Sequence, residues 1–461
     1  MTRRIARLLL LALSATLPPE LTLADEPPAR ATGAPVWERR PERDEDVEAC
    51  SCSEQCADRD GYGHVCVKGK CQRYVDAWSL LALIGSEAPK DPPPFELLPA
   101  IFPAVGYNPA LGLLAGVSGT LGMYLGENRD TTISNVQGVV LLTSNRQIIV
   151  QLASTLLTSR NVWELQGDWR FLVYNQGTYG LGTGPSSSIA PQTIDFDLVR
   201  FHEKVYRRVW QDLYGGVGYA YDRYFAVQDV DQDLQAAPAH ATANYAYSTY
   251  YGFDPNAYTV SGPSLSLLYD SRDSTINPYR GVYAAVDFYG FPTWLGSSRA
   301  ALMLHAELRA YVGMDASIPR NVLAFWAYFR GVPAGVLPYL ALPSLGWDAR
   351  NRTGRGYIQG RFRGTQEAYA EVEWRFRLTN NGFLGGVLFA NASSFSAPAF
   401  TATGPGWTYA QVGQRILEYV QPAGGFGLRF MMNRESRTNV TLDFAFGNDY
   451  FGIWINAGEY F

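Results

Sequence analysis

The sequence predicts an all-β fold: a transmembrane antiparallel β-barrel of sixteen strands, with a short N-terminal disulfide-rich periplasmic segment ahead of it. Three observations carry that expectation. The C-terminal stretch alternates apolar and polar residues with the period of 2 that separates the two walls of a strand. The chain of 461 residues is 14% aromatic, with 29 Tyr, 23 Phe and 11 Trp, and holds 45 Gly. No run beyond the N-terminus is long and apolar enough for a spanning helix, and that balance suits a barrel with aromatic girdles at both membrane interfaces. Several long segments also repeat charges along one face, which suits a polar lumen better than a sandwich core.

The N-terminal elements come first. Arg3, Arg4 and Arg7 precede the apolar run Leu8 to Leu17, and the small-residue site Thr22-Leu23-Ala24 follows. This predicts a secretory signal peptide over residues 1–24, because the run is only about half the ~20 residues a spanning helix needs. Residues 25–49 are dense in Pro and charge and cannot bury a core, so a disordered linker is expected. Residues 50–72 hold every cysteine: Cys50, Cys52, Cys56, Cys66 and Cys71. Outside the cytoplasm disulfides are the default reading, as two bridges with one cysteine left over. A metal knuckle using His64 is the alternative, although paired CxxC spacing is missing. Residues 73–98 begin with a short helical pattern, Tyr74 to Ile84, and break at Pro92-Pro93-Pro94.

Residues 99–461 read as strand, turn, strand. Trp163, Leu165, Trp169, Phe171 and Val173 oppose Glu164, Gln166, Asp168 and Arg170. Leu302, Leu304, Ala306 and Leu308 oppose His305, Glu307 and Arg309. Ala368, Ala370, Val372, Trp374 and Phe376 oppose Glu367, Glu371, Glu373, Arg375 and Arg377. Val440, Leu442, Phe444 and Phe446 oppose Thr441, Asp443 and Ala445. In the last strand Phe451, Ile453, Ile455, Ala457 and Phe461 fall on the outward face, against Gly452, Trp454, Asn456 and Tyr460. Glu459 takes the outward parity near the membrane interface. About fifteen strands can be counted this way, and single-chain bacterial barrels have even numbers, hence sixteen. Two connections are too long for tight turns, Gln228 to Asn256 and Val332 to Gly364, and long connections in barrels are extracellular as a rule.

The composition bears on function as well. A net charge of −5 argues against nucleic acid as a partner. Four histidines, His64, His202, His240 and His305, occur without a Gly-x-Ser-x-Gly elbow, a His-Glu-x-x-His pair or a Gly-rich phosphate loop, so neither an enzyme nor a cofactor is expected. A terminal strand ending in an aromatic residue is the signal read by barrel-assembly machinery. That machinery and outer-membrane lipid are therefore the expected partners, and the outer membrane of a bacterial cell the expected location.

Three segments together resemble the BamA/TamA superfamily of outer-membrane assembly barrels, also called the bacterial surface antigen family. They are LLPAIFPAVGYNPALGLLAG (Leu97 to Gly116), which looks like a first strand; YDSRDSTINPYRG (Tyr269 to Gly281); and GRGYIQGRFRGTQEAYAEVEWRFRL (Gly354 to Leu378). The second carries the family's turn motif at Asp270, Arg272, Asp273, Pro278 and Gly281. The third carries its Arg-Gly-aromatic loop. The resemblance covers residues 97–461 and implies that a long extracellular loop folds back into the barrel. Arg355, Gly356 and Tyr357 would be its tip and Glu373 the wall acid that holds the arginine. Where the family places a second acid, this chain has Asn391, so Arg355 would lean on Glu373 or Glu371.

The resemblance also implies a weakly paired seam between first and last strands; glycines such as Gly106, Gly112, Gly116, Gly119, Gly122, Gly452 and Gly458 would either weaken it further or only relieve crowding in a curved sheet. The role it implies is assistance in membrane insertion or translocation of protein or lipid. Assembly members receive clients on periplasmic repeat domains, for which residues 25–96 leave no room. Periplasmic protein partners docked through 25–96 are one expectation. A structural or pore-forming barrel without assembly activity is the alternative.

Overall fold

The computed structural model describes residues 64–67, 70–73 and 94–461, except 109–111, 128–129, 185–190, 237–239, 315–319, 380–381, 435 and 449. The expected signal peptide, the linker, the Tyr74–Ile84 helix and Cys50, Cys52 and Cys56 lie outside these residues. Of the cysteine segment, β1 (His64–Val67) and β2 (Lys70–Arg73) form a small antiparallel hairpin that sets Cys66 opposite Cys71 in the backbone register.

The rest is one antiparallel sheet of sixteen strands in which each strand pairs with its neighbours in chain order. Its first half is β3 (Leu98–Asn108), β4 (Gly112–Met123), β5 (Ser134–Thr143), β6 (Ile148–Leu157), β7 (Trp163–Thr178), β8 (Gln192–Trp210), β9 (Leu213–Asp229) and β10 (Tyr258–Asp270). Its second half is β11 (Gly281–Phe291), β12 (Ala301–Gly313), β13 (Val322–Gly335), β14 (Gln366–Arg377), β15 (Leu384–Phe395), β18 (Gln421–Asn433), β19 (Thr438–Gly447) and β20 (Tyr450–Ala457). A separate hairpin, β16 (Phe400–Gly404) with β17 (Trp407–Gln411), and, among the described residues, one α-helix, α1 (Ala243–Tyr251), sit in the long connections.

The sixteen-strand count matches the expectation, but two details differ. The Leu97–Gly116 segment is not one strand: it is most of the β3–β4 hairpin, with Val105 opposite Ala115. The connection after β15 is a third long one and carries β16 and β17. Pro405-Gly406 turns that hairpin, and Gly406 has a φ of +79°.

The alternation sorts the side chains. On β14, Glu367, Tyr369, Glu371, Glu373 and Arg375 are buried while Ala370, Val372 and Trp374 are exposed. On β19, Thr441, Asp443 and Ala445 are buried and Phe446 is exposed. The outer wall therefore carries large apolar groups: Phe171, Val217, Leu265, Phe288, Leu302, Leu388, Phe426 and Ile455 are all exposed. Such a surface is unfavourable in water and favourable against lipid chains.

The sheet curls so that polar residues face inward and its two ends come together. No ladder joins β3 to β20 among the described residues, although β20 lies beside β3 and β4. The ends are tied instead through connections that cross the interior. Arg170 on β7 donates to the Asp348 carbonyl at 2.6 Å, and Asn351 reaches Gln151 on β6 at 2.7 Å, both within the 336–365 loop. At one mouth α1, β16–β17 and residues 337–342 pack an aromatic cap: Tyr247 meets Tyr339 and Phe400 edge-on, and its hydroxyl donates to the Leu337 carbonyl at 3.1 Å. The interior expected to be wet is thus largely filled.

Candidate functional site

The 336–365 loop, between β13 and β14, enters the interior and ends its inward path at Arg355. Backbone conformation allows this approach. Gly356 has a φ of +101°, and a Cβ added there would stand 2.6 Å from the Cβ of Ala423 on β18. Only glycine combines that dihedral with so close a contact.

Arg355 is 1% exposed and surrounded by acids. Its Nη1 donates to Asp443 Oδ2 on β19 at 2.9 Å, and its Nη2 donates to Glu371 and Glu373 on β14. The rings of Phe389 and Tyr460 lie across its guanidinium, at 3.7 and 3.9 Å from centroid to Cζ. A guanidinium suits such a place because its planar fork serves several carboxylates at once and its faces stack on aromatics. Tyr357 is buried, and its hydroxyl donates to the Pro422 carbonyl at 2.7 Å and accepts from the Asn448 N–H at 3.2 Å.

The pairing is wider than a single lock. Arg429 on β18 donates to Asp443 Oδ1 at 2.6 Å and to Glu459 Oε2 at 2.7 Å. Arg375 donates to Glu373 Oε2 at 2.7 Å and to the Phe461 main-chain oxygen at 3.0 Å. The cluster therefore ties the loop to β14, β18, β19 and the C-terminal residues. Asn391 does not take the place of a second acid: its Nδ2 donates to the Arg355 carbonyl at 2.9 Å. Asp443 fills the acidic role instead. It stands on the polar face of β19 in the sequence, which was the available signal.

The C-terminal residues depart from the alternation. Phe451, Ile453 and Ile455 are 49%, 49% and 59% exposed, as expected for the outer wall, and Ala457 closes the strand. Phe461 is only 3% exposed and packs inside, with its ring 5.2 Å from Trp326. Glu459 is likewise buried, between Arg429 and Asn439. The physical cause is Gly458, whose φ of +79° ends the strand and turns the last three residues inward.

At the opposite end from the cap, the 271–280 turn crosses the interior as a floor. Asp270 binds Arg272 in bidentate fashion, Nε at 2.9 Å and Nη2 at 2.6 Å. Asp273 accepts from the Tyr279 N–H at 3.0 Å and from Arg437 at 2.8 Å, in the turn between β18 and β19. Thr275 donates to the Ile133 carbonyl and accepts from Asn135 Nδ2 on β5, both at 2.7 Å. The turn so joins the early strands to the late ones. Gly281 is required at its exit, with φ +108° and a would-be Cβ 2.4 Å from the Ser271 carbonyl oxygen. Pro278 lies within the same turn.

No protein-family model and no curated protein matches the sequence. Among solved structures, the chain is similar to BamA from Haemophilus ducreyi lacking POTRA domains 1–3, at 12% identity and a TM-score of 0.46, over 78% of this chain and 69% of that one. It is similar to CdiB from Acinetobacter baumannii at 12% identity and a TM-score of 0.43, over 76% and 55% of the two chains. CdiB from Escherichia coli gives 10% identity and 0.43, over 78% and 60%.

Proposed function

We propose that this chain is an outer-membrane β-barrel of the BamA/TamA superfamily that assists insertion or translocation of protein or lipid at the bacterial outer membrane. The observation that carries the reading is the seam. β3 and β20 are neighbours, yet among the described residues they share no ladder. Unsatisfied backbone groups facing lipid cost several kcal/mol each, so an open edge is a strong acceptor for an incoming strand. The charged cluster around Arg355 and the 271–280 floor hold the remaining wall together, which lets the seam stay unpaired without loss of the fold.

A structural or pore-forming barrel without assembly activity is the second reading. The polar inner wall favours it; the loop and cap that fill the interior count against free conduction. The test is the folding rate of an unfolded client barrel into liposomes, with and without this protein reconstituted. Acceleration that a covalent cross-link from β3 to β20 abolishes supports the assisting role. No acceleration, together with stable single-channel conductance, supports the second reading and rejects the first.

A further inference from the structure

Between the 336–365 loop and the inner faces of β6 to β13 lies a cavity of about 170 Å³. That is over ten times the ~10–15 Å³ a single water requires. Its lining is rich in cations, and nearly all of them have an acid. Arg200 binds Asp222 at 2.7 Å, Lys204 binds Asp287 at 2.6 Å, and Arg330 binds Glu367 at 3.0 Å. Arg272 and Arg309 give Nε and Nη2 to Asp270 and Glu307 respectively, which leaves Nη1 of each without a carboxylate. These two guanidiniums flank one ring, that of Tyr283, with Cζ at 4.5 and 5.2 Å from its centroid.

Arg350 is the exception. Its main-chain N–H donates to Asp348 Oδ1 at 3.0 Å, but among the described residues no acid or acceptor meets its guanidinium. Arg350 is half-buried; its partial desolvation, and then the nearby Arg309, Arg352 and Arg272, weigh against its charged form. A cation held among like charges in one cavity lining is costly, and a bound anion relieves that cost. A tetrahedral oxyanion matches the forks of several arginines.

We propose that this cavity is a binding site for a phosphate-type oxyanion, either free phosphate or the phosphomonoester head of a lipid, held by Arg350 with Arg309 and Arg272. The site is independent of the seam and of any insertion activity.

The test uses the full chain, folded in a maltoside micelle. Inorganic phosphate is titrated against chloride at matched ionic strength, with the unfolding midpoint and the heat of binding as readouts. Phosphate is expected to raise the midpoint and chloride to leave it unchanged. Arg350→Gln, which removes a charge without a protein partner, should keep the folded mobility and lose the phosphate response; Arg350→Lys should retain part of it. Dihexanoyl phosphatidic acid binding at least tenfold tighter than inorganic phosphate would assign the lipid head, and equal or weaker binding the free ion. An equal response of the native protein to chloride, or an unchanged phosphate response in Arg350→Gln, would overturn the proposal.

Discussion

Arg355 and Asp443 stand 88 residues apart in the chain and meet at 2.9 Å inside the sheet. The same carboxylate accepts Arg429 on its other oxygen at 2.6 Å. Asp443 therefore couples the inserted loop to the wall on which the last strand pairs, and the stability of the loop and of the C-terminal strands should rise and fall together.

Removing the arginine takes one partner from each of three buried acids and leaves Glu371 without a cation among the described residues, since Asp443 keeps Arg429 and Glu373 keeps Arg375. Arg355→Ala should destabilise the fold by ~3–5 kcal/mol, the cost of breaking a buried ion pair by deleting one partner. Arg355→Lys should recover only part of this, because an ammonium cannot span Asp443, Glu371 and Glu373 as a fork does. The check is migration on unheated gels across a temperature series. Full heat-resistant migration of Arg355→Ala would sink the lock.

Asn391 offers a sharper discrimination. If it were a weakened acid, Asn391→Asp would tighten the lock. The structure has its amide donating to the Arg355 carbonyl at 2.9 Å, and an ionised Asp has no donor to put there. Asn391→Asp should therefore destabilise by ~1–3 kcal/mol, the penalty for an unsatisfied buried acceptor. Urea titration in vesicles reads the sign, and a gain in stability would contradict the observed bond.

The strand walls were legible because period 2 is set by the backbone: the buried acids of β14 and β19 could be read without knowing what they bind. Glu373 and Glu371 were legible as partners of Arg355, but Asp443 was not, since its meeting with the arginine depends on the path of a thirty-residue connection (residues 336–365) through the interior. The inward turn at Gly458 was hidden for a related reason. A glycine near a strand end permits φ > 0 but does not require it, so Glu459 and Phe461 kept the outward parity by default. The β16–β17 hairpin was missed, although Pro405-Gly406 was an available turn signal for it.

The inward placement of Phe461 separates folded-state stability from the recognition of the last strand by assembly machinery. Phe461→Ala removes a ring packed on Trp326 and Tyr311 and should cost ~3–5 kcal/mol, as for a buried Phe elsewhere. Ile453→Ala, on the exposed wall, should cost less than half as much. Equal effects of the two on the urea midpoint of refolded protein would show that Phe461 does not pack inside.

The 336–365 loop should also carry an acid-sensitive stability through Asp348. Burial alone would raise its pKa, but the N–H groups of Thr353, Arg350 and Arg352, with Arg170 nearby, outweigh it and hold the carboxyl below its usual range. Three of those bonds measure 2.7, 3.0 and 2.8 Å, so the loop's return turn is built around the ionised form. A folded pKa below the unfolded value of ~4 means that this stabilisation is complete above that value and is lost as pH falls through the lowered one. The unfolding midpoint should therefore drop steeply on acidification below ~4. Asp348→Asn should start lower at neutral pH and show a shallower slope there. Parallel curves for the two proteins would assign the acid sensitivity to other carboxylates and remove Asp348 from the account.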